Sequence, residues 1–333
     1  LEFIQSHSLI ITLKQHTNKM PYSYLANSTY GKDNVKFLKV KKSKSNPKLH
    51  EVMEATVCVL LKGDFDVSYT EADNAPIVPT DTVKNTILIH AKKFDTWPTE
   101  KFAANLALHF TSKYSHVSGL TVKITQDRWV KYDVDGKESL HSFVHQGPEK
   151  KITFLDWDKK NGTNTYSLST SIKDLTVLKS TDSMFYGYNV CDYTTLKPTT
   201  DRILSTDIFA NWEWNASKLG SLESISAGSK DDIFNSVYDN ARSITLDIFA
   251  KENSPSVQAT MFNMATAILK KAPQVDYVSY ELPNKHYFLF DFKWFKGLEN
   301  DNELFYPSPH PNGLIKCKVG RSQAKLWEFE LLD

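Results

Sequence analysis

Twice along this chain, two strand-like runs are followed by two amphipathic helical stretches and then by two more strand-like runs, an order that leaves few folds open. In the first half, Val35–Val40 and Val52–Leu61 are rich in β-branched and apolar residues, and Asp64–Tyr69 alternates as a continuation beyond a bend at Gly63. The spacing then predicts helices over Asp81–Lys92 and Pro98–Tyr114. The second of these sets Phe102, Leu106, Phe110 and Tyr114 on one face, which must meet a sheet. Leu120–Val134 and Ser139–Val144 read as a hairpin about Asp135-Gly136, a dipeptide that tolerates positive φ in a tight turn.

The second half repeats the plan. Tyr166–Leu178 and Ile203–Trp214 read as strands. Val237, Ala241, Ile244 and Ile248 stripe one helix, and Val257, Met261, Met264, Ile268 and Leu269 stripe another. Asn253 or Ser254 is expected as the N-cap of the latter, with Pro255 just inside it. Val275–Leu282 and His286–Phe295 read as two strands meeting near Pro283-Asn284-Lys285. Gly228–Asp232 and Lys159–Asn164 are polar breaks, the latter dividing the halves. The expectation is an α+β chain of two tandem antiparallel sheet-plus-two-helix halves, residues 27–160 and 161–322, with an N-terminal extension at 1–26 and a tail at 323–333. Helices on one face of a sheet leave the other face to water or a partner.

Lys plus Arg number 40 against 39 Asp plus Glu among 333 residues, so no broad field attracts nucleic acid or an anionic membrane. Leu9-Ile-Ile-Thr-Leu13 is too short to span a bilayer. Cys58, Cys191 and Cys317 are widely spaced, which suits buried thiols in a reducing compartment rather than a disulfide framework or a zinc site. His141 and His145 point to one strand face but lack a third ligand, and no phosphate-binding glycine loop or dinucleotide fingerprint is present. No metal or cofactor is expected.

In the long polar segment of the second half, aromatics at Phe185 and its neighbours precede one arginine, Arg202, among strand formers, a run that can stack a flat ligand and clamp its edge. Gln258 and Val257 fall in the first turn of a helix, where backbone N–H groups lack partners and the dipole favours an anion. Each of these residues has an ordinary alternative. Phe185 and Val257 could be core, Gln258 a good helix former, and Arg202 an ion-pair partner of Asp201 or Asp207. Equally, Lys32 could be a solvated lysine, Thr80 an N-cap with Asp81 also capping, and His286 a hydrogen-bonded strand histidine.

Five segments in order, Thr29-Tyr-Gly-Lys-Asp-Asn-Val35, Val78-Pro-Thr-Asp-Thr-Val-Lys-Asn-Thr86, Ser183–Asp207, Ser256-Val-Gln-Ala-Thr-Met261 and Leu282-Pro-Asn-Lys-His-Tyr-Phe288, closely resemble the urate oxidase (uricase) family, of the fungal or yeast type. The resemblance implies the tunnelling fold (T-fold), in which such halves from two chains close a barrel and two barrels stack into a homotetramer with active sites at subunit interfaces. It implies oxidation of urate by O2 and water to 5-hydroxyisourate and hydrogen peroxide without a cofactor. Arg202 and Gln258 would grip urate, Phe185 would lie beneath the ring, and the Val257 N–H and the Asp81 backbone would contact it. Lys32, Thr80 and His286 would relay the proton, with Lys32 and Thr80 from the neighbouring chain, and Asn284 and Thr80 would hold oxygen. A lysine base needs its pKa drawn toward neutrality by desolvation or a nearby positive charge, which an interface can supply.

Two rivals remain at this stage, a non-catalytic purine-binding T-fold protein and a T-fold pterin or purine hydrolase, the latter distinguished by metal content. Met20 is expected as the natural start, Leu1–Lys19 being additional. Ala324-Lys325-Leu326 is similar to a peroxisomal address that is read only at a free C-terminus and is masked here by Trp327–Asp333.

Overall fold

The computed structural model describes residues 23–159 and 165–322. The expected start at Met20, the Ala324-Lys325-Leu326 signal and the border between residues 160 and 161 all fall outside the described residues. Eight strands form one antiparallel sheet in chain order: β1 Tyr30–Lys42, β2 His50–Gly63, β3 Val117–Val134, β4 Lys137–Asp158, β5 Ser167–Lys179, β6 Leu204–Trp214, β7 Val275–Leu289 and β8 Phe305–Gly320. Helices α1 (Asp66–Thr70), α2 (Thr80–Lys93) and α3 (Thr99–Lys113) lie between β2 and β3. Between β6 and β7 lie α4 (Ala216–Leu219), α5 (Leu222–Ser226), α6 (Asp231–Lys251) and α7 (Val257–Lys271).

Alternation decides which sheet face is covered. Met53, Ala55, Val57, Val59 and Leu61 of β2 are buried together, as are Ile208, Ala210, Trp212 and Trp214 of β6, and the helices sit on that face. The stripe of α3 behaves as its spacing predicts: Phe102, Leu106 and Phe110 are fully buried. Lys101 on α3 pairs with Asp231 at 2.9 Å and Asn105 reaches Ser226, so the helix layers of the two halves touch. The opposite sheet face carries a cleft of about 570 Å³ lined by Lys123, Phe154, Asp207 and Phe209. Asp135 and Gly136 turn the β3–β4 hairpin with φ of 53° and 76°, as the dipeptide predicts.

Several expectations are corrected. Asp64–Tyr69 does not extend the strand: pairing ends at Gly63 with Val117, Phe65 drops fully into the core, and α1 follows with Asp66 in its first turn. Strand β4 does not stop at Val144. Gly147, at φ 63°, and Pro148 are absorbed in a register shift between the Asp127–Lys150 and Trp129–His145 pairs, and the ladder resumes beyond it. Pro283-Asn284-Lys285 is no junction but lies inside β7. Pairing with β6 passes from Phe209–Glu281 to Thr206–Asn284, so Pro283, which has no N–H, occupies an unpaired step there while still meeting Leu314 of β8. Strand character ends at Leu289, not Phe295. The outer partner of β7 is β8, which the sequence reading did not include; its Pro307 and Pro311 are tolerated at a sheet edge. Helix α6 begins inside the supposed break at Gly228–Asp232, and Cys191 is exposed while Cys58 and Cys317 are half-buried, all three as free thiols.

Candidate active site

The first group of site residues is held by a backbone lacing between two distant segments. Met184 donates its N–H to the Ser254 carbonyl at 2.7 Å and Ser254 donates to Asp182 at 2.9 Å, while Phe185 and Thr199 exchange both backbone bonds at 2.8 and 2.9 Å. These ties carry Phe185, the Arg202 segment and the start of α7 to one place. Ser254 is therefore no N-cap, as its backbone is already committed. Ser256 caps α7 instead, its hydroxyl accepting from Ala259 N–H at 3.2 Å, and Ser254 bonds Thr260 at 2.7 Å beneath it. Gln258 still lies in the first turn, exposed, and Val257 precedes it, buried.

Within this group Phe185 stacks on Tyr188 with centroids 5.0 Å apart and planes 17° from parallel, and the Arg202 guanidinium stands 5.3 Å over the Phe185 ring. The Arg202 Nε–H points to Ser183 Oγ at 3.4 Å, and no carboxylate pairs with it among the described residues. Its expected partner Asp207 is taken by Lys285 at 2.6 Å, and Asp201 accepts from Thr181. Burial draws the Arg202 guanidinium below its ordinary value, the mark of a cation short of water and of a counter-charge. Such a fork is poised for an external anion.

Asn284 and His286 lie on β7 at a register shift, half-buried, Asn284 opposite Thr206 and Gly313, and His286 opposite Ser308 with Phe288 stacked against it at 5.9 Å. Thr206 is almost wholly buried, its hydroxyl without a partner among the described residues.

The remaining residues form a separate group in the first half. Lys32 sits on β1 opposite Val59, just before a register shift at which Asn34 takes φ 57°. Thr80 opens α2, exposed; the N-cap position belongs to Pro79 and no side chain among the described residues caps the helix, which corrects the capping reading of Thr80 and Asp81. Asp81 instead bonds Lys84 and Asn85, and those contacts, with a smaller contribution from Lys32, hold its carboxyl below the usual range. Tyr30, two residues before Lys32, accepts the Val78 N–H at 2.7 Å.

The structure thus brings Phe185, Arg202, Val257 and Gln258 together and places Lys32 near Thr80 and Asp81, but it does not unite the two groups within one chain. Lys32 on β1 and His286 on β7 are six strand spacings apart, about 29 Å along the sheet. Sequence reading missed Tyr30, Ser183 and Thr206, and gave Ser254 a capping role in place of its lacing one. Tyr30 carried a signal, since it shares a strand face with Lys32; the others are set by long-range pairing that leaves no local trace.

The family model for uricase matches residues 28–156 and 168–316. The uricase of Cyberlindnera jadinii is 69% identical over 299 residues, covering 90% of this chain and 97% of that protein. The uricase of Aspergillus flavus is 46% identical over 299 residues, covering 89% and 96%. The crystal structure of uricase from Arthrobacter globiformis superposes with a TM-score of 0.78 at 34% identity, covering 92% of this chain and 97% of that one.

Proposed function

Because this chain belongs to the uricase family, we infer that it oxidises urate with O2 and water, giving 5-hydroxyisourate and hydrogen peroxide. The observation that carries this reading is the family match across both halves, and the Phe185–Arg202–α7 cluster supplies a site of the right chemistry. Urate is a flat anion whose rim alternates amide-like donors and acceptors. The Phe185 face can support it, the Arg202 fork can take paired acceptors on its edge, and the Gln258 amide and Val257 N–H can close on the remainder. The fold is the tunnelling fold of that family, α+β with helices on one face of an antiparallel sheet.

The course of reaction is deprotonation of bound urate, electron transfer to oxygen and attack of water on the oxidised ring. In this reading Lys32, Thr80 and His286 carry the proton, the Asp81 backbone touches urate, and Asn284 with Thr80 holds oxygen above it. The separation of Lys32 from His286 along the sheet supports a site completed by Lys32 and Thr80 of a second chain. Two long edge strands, β1 and β8, have one side each unpaired among the described residues, which suits closure of a barrel by a second copy and a homotetramer of two such barrels. Sizing in solution tests this; a monomer that turns over urate would refute it.

Oxygen uptake followed together with loss of urate's ultraviolet absorbance, on protein treated with a metal chelator, tests the activity. Matched consumption with peroxide release is expected. Urate binding without oxygen uptake would return the non-catalytic reading, and loss of activity on chelation would return a metal-dependent one. The natural protein is further assigned to the peroxisome. A chain ending at Leu326 should bind the receptor for C-terminal peroxisomal signals, and failure to bind would remove the assignment.

A further inference from the structure

Val78 is buried, 3% exposed, and it leads through Pro79 into Thr80, so its N–H needs a partner inside the protein. That partner is the Tyr30 phenol oxygen at 2.7 Å. The ring of Tyr30 is fixed in turn by an edge-to-face contact with the fully buried Phe65, centroids 4.8 Å apart and planes 86°. Tyr30 and Lys32 alternate onto the same side of β1 with Gly31 between them. A Cβ on Gly31 would lie 1.9 Å from the Val59 carbonyl oxygen, so the strand that carries Tyr30 and Lys32 is pressed against β2 with no room to slide. The turn before Thr80 is otherwise tied within itself, through Ile77 N–H to Asn74 O and Ala75 N–H to Asp73 Oδ1, and to α1, through Ser68 Oγ–H to Asn74 Oδ1 at 2.8 Å and Asp73 N–H to Val67 O at 3.2 Å, so the Tyr30 hydroxyl is its bond to β1.

We propose that Tyr30 is a positioning residue for the oxidation: its hydroxyl ties the segment entering Thr80 to β1, so that Lys32 and Thr80 are presented to the neighbouring chain as one rigid unit. This rests on the proton-relay reading of Lys32 and Thr80 above. Burial raises the Tyr30 pKa, so the phenol stays protonated through the working range and serves as a fixed acceptor rather than a proton carrier.

The test is Tyr30→Phe, which keeps the ring on Phe65 and deletes the acceptor. Turnover should fall about tenfold with KM within about twofold, because a relay out of register loses transition-state rather than ground-state interactions. On a Thr80→Ala background the same change should cost less than about twofold, since the hydroxyl acts through Thr80. Normal turnover in Tyr30→Phe, or an undiminished tenfold loss on the Thr80→Ala background, would each overturn the proposal. Lys32→Met and Thr80→Ala measured alongside separate the two levels. Unchanged turnover in both removes the relay itself, whereas low turnover in both with normal turnover in Tyr30→Phe removes only the tether.

Discussion

Replacing Arg202 is the sharpest test of how the ring is held. The guanidinium stands over Phe185, is drawn below its usual pKa by burial, and among the described residues makes only one weak bond, to Ser183 at 3.4 Å. Most of its donors are therefore free for a ligand. Arg202→Ala removes one or two charge-assisted hydrogen bonds, roughly 2–5 kcal/mol, or a 30-fold to several-thousand-fold loss in kcat/KM. Arg202→Lys keeps the charge and a contact over Phe185 but cannot present two parallel donors to a planar edge, so it should forfeit one such bond, about 1.5–3 kcal/mol, or some 10- to 150-fold. Initial rates from urate absorbance over a range of concentrations give both figures, and direct urate binding to the two variants shows how much of each loss is ground-state affinity. A kcat/KM for Arg202→Lys within about threefold of the parent would refute recognition by the fork and reduce the arginine to a general positive charge.

Two further outcomes concern stability. Glu100 is fully buried, held by Lys151 at 3.0 Å, Thr170 at 2.6 Å and Thr99 at 3.3 Å; Lys151→Met strands that carboxylate and should cost about 3–5 kcal/mol in denaturant unfolding. Adding Glu100→Leu should restore much of the loss, and a single Lys151→Met variant as stable as the parent would show the pair to be dispensable. The His109 pKa is lowered by burial and then by the His90 ring 4.1 Å away, so the unfolded chain takes up the proton first. Stability contributed by neutral His109 is thus intact above about pH 6.5 and lost as pH falls toward the depressed folded value. Unfolding midpoints across that window should slope less in His109→Gln, and an unchanged slope would place the acid sensitivity elsewhere.

What could be read beforehand follows the range of the forces involved. Period and turn chemistry are local, and they located the α3 stripe of Phe102, Leu106 and Phe110, the Asp135-Gly136 hairpin and the cores of strands β1, β2, β5 and β6. Elements whose state depends on a distant partner were misread. Strand β8 is admitted only because an edge tolerates its prolines, and β7 runs through Pro283 only because its pairing with β6 skips that step. For the site, the motifs marked positions, but the reason the Phe185 segment and the start of α7 lie together is the exchange between Met184, Ser254 and Asp182, which joins segments some seventy residues apart and has no periodic signature. The capping reading of Ser254 failed for the same reason, since its backbone was already engaged by that exchange.

The chain-order sheet also governs how the molecule can assemble itself. Most neighbouring strands are joined by short or irregular connections, but β2 meets β3 only after the excursion 64–116, and β6 meets β7 only after 215–274. Closing those two long loops carries the larger loop-closure entropy in each half, and the helices packed on the sheet are what offset it. Thr80 and Asp81 ride in the first excursion and Val257 and Gln258 in the second. The helix-borne half of the chemistry is therefore held by the same packing that seals the core, so the site and the two long connections stand or fall together.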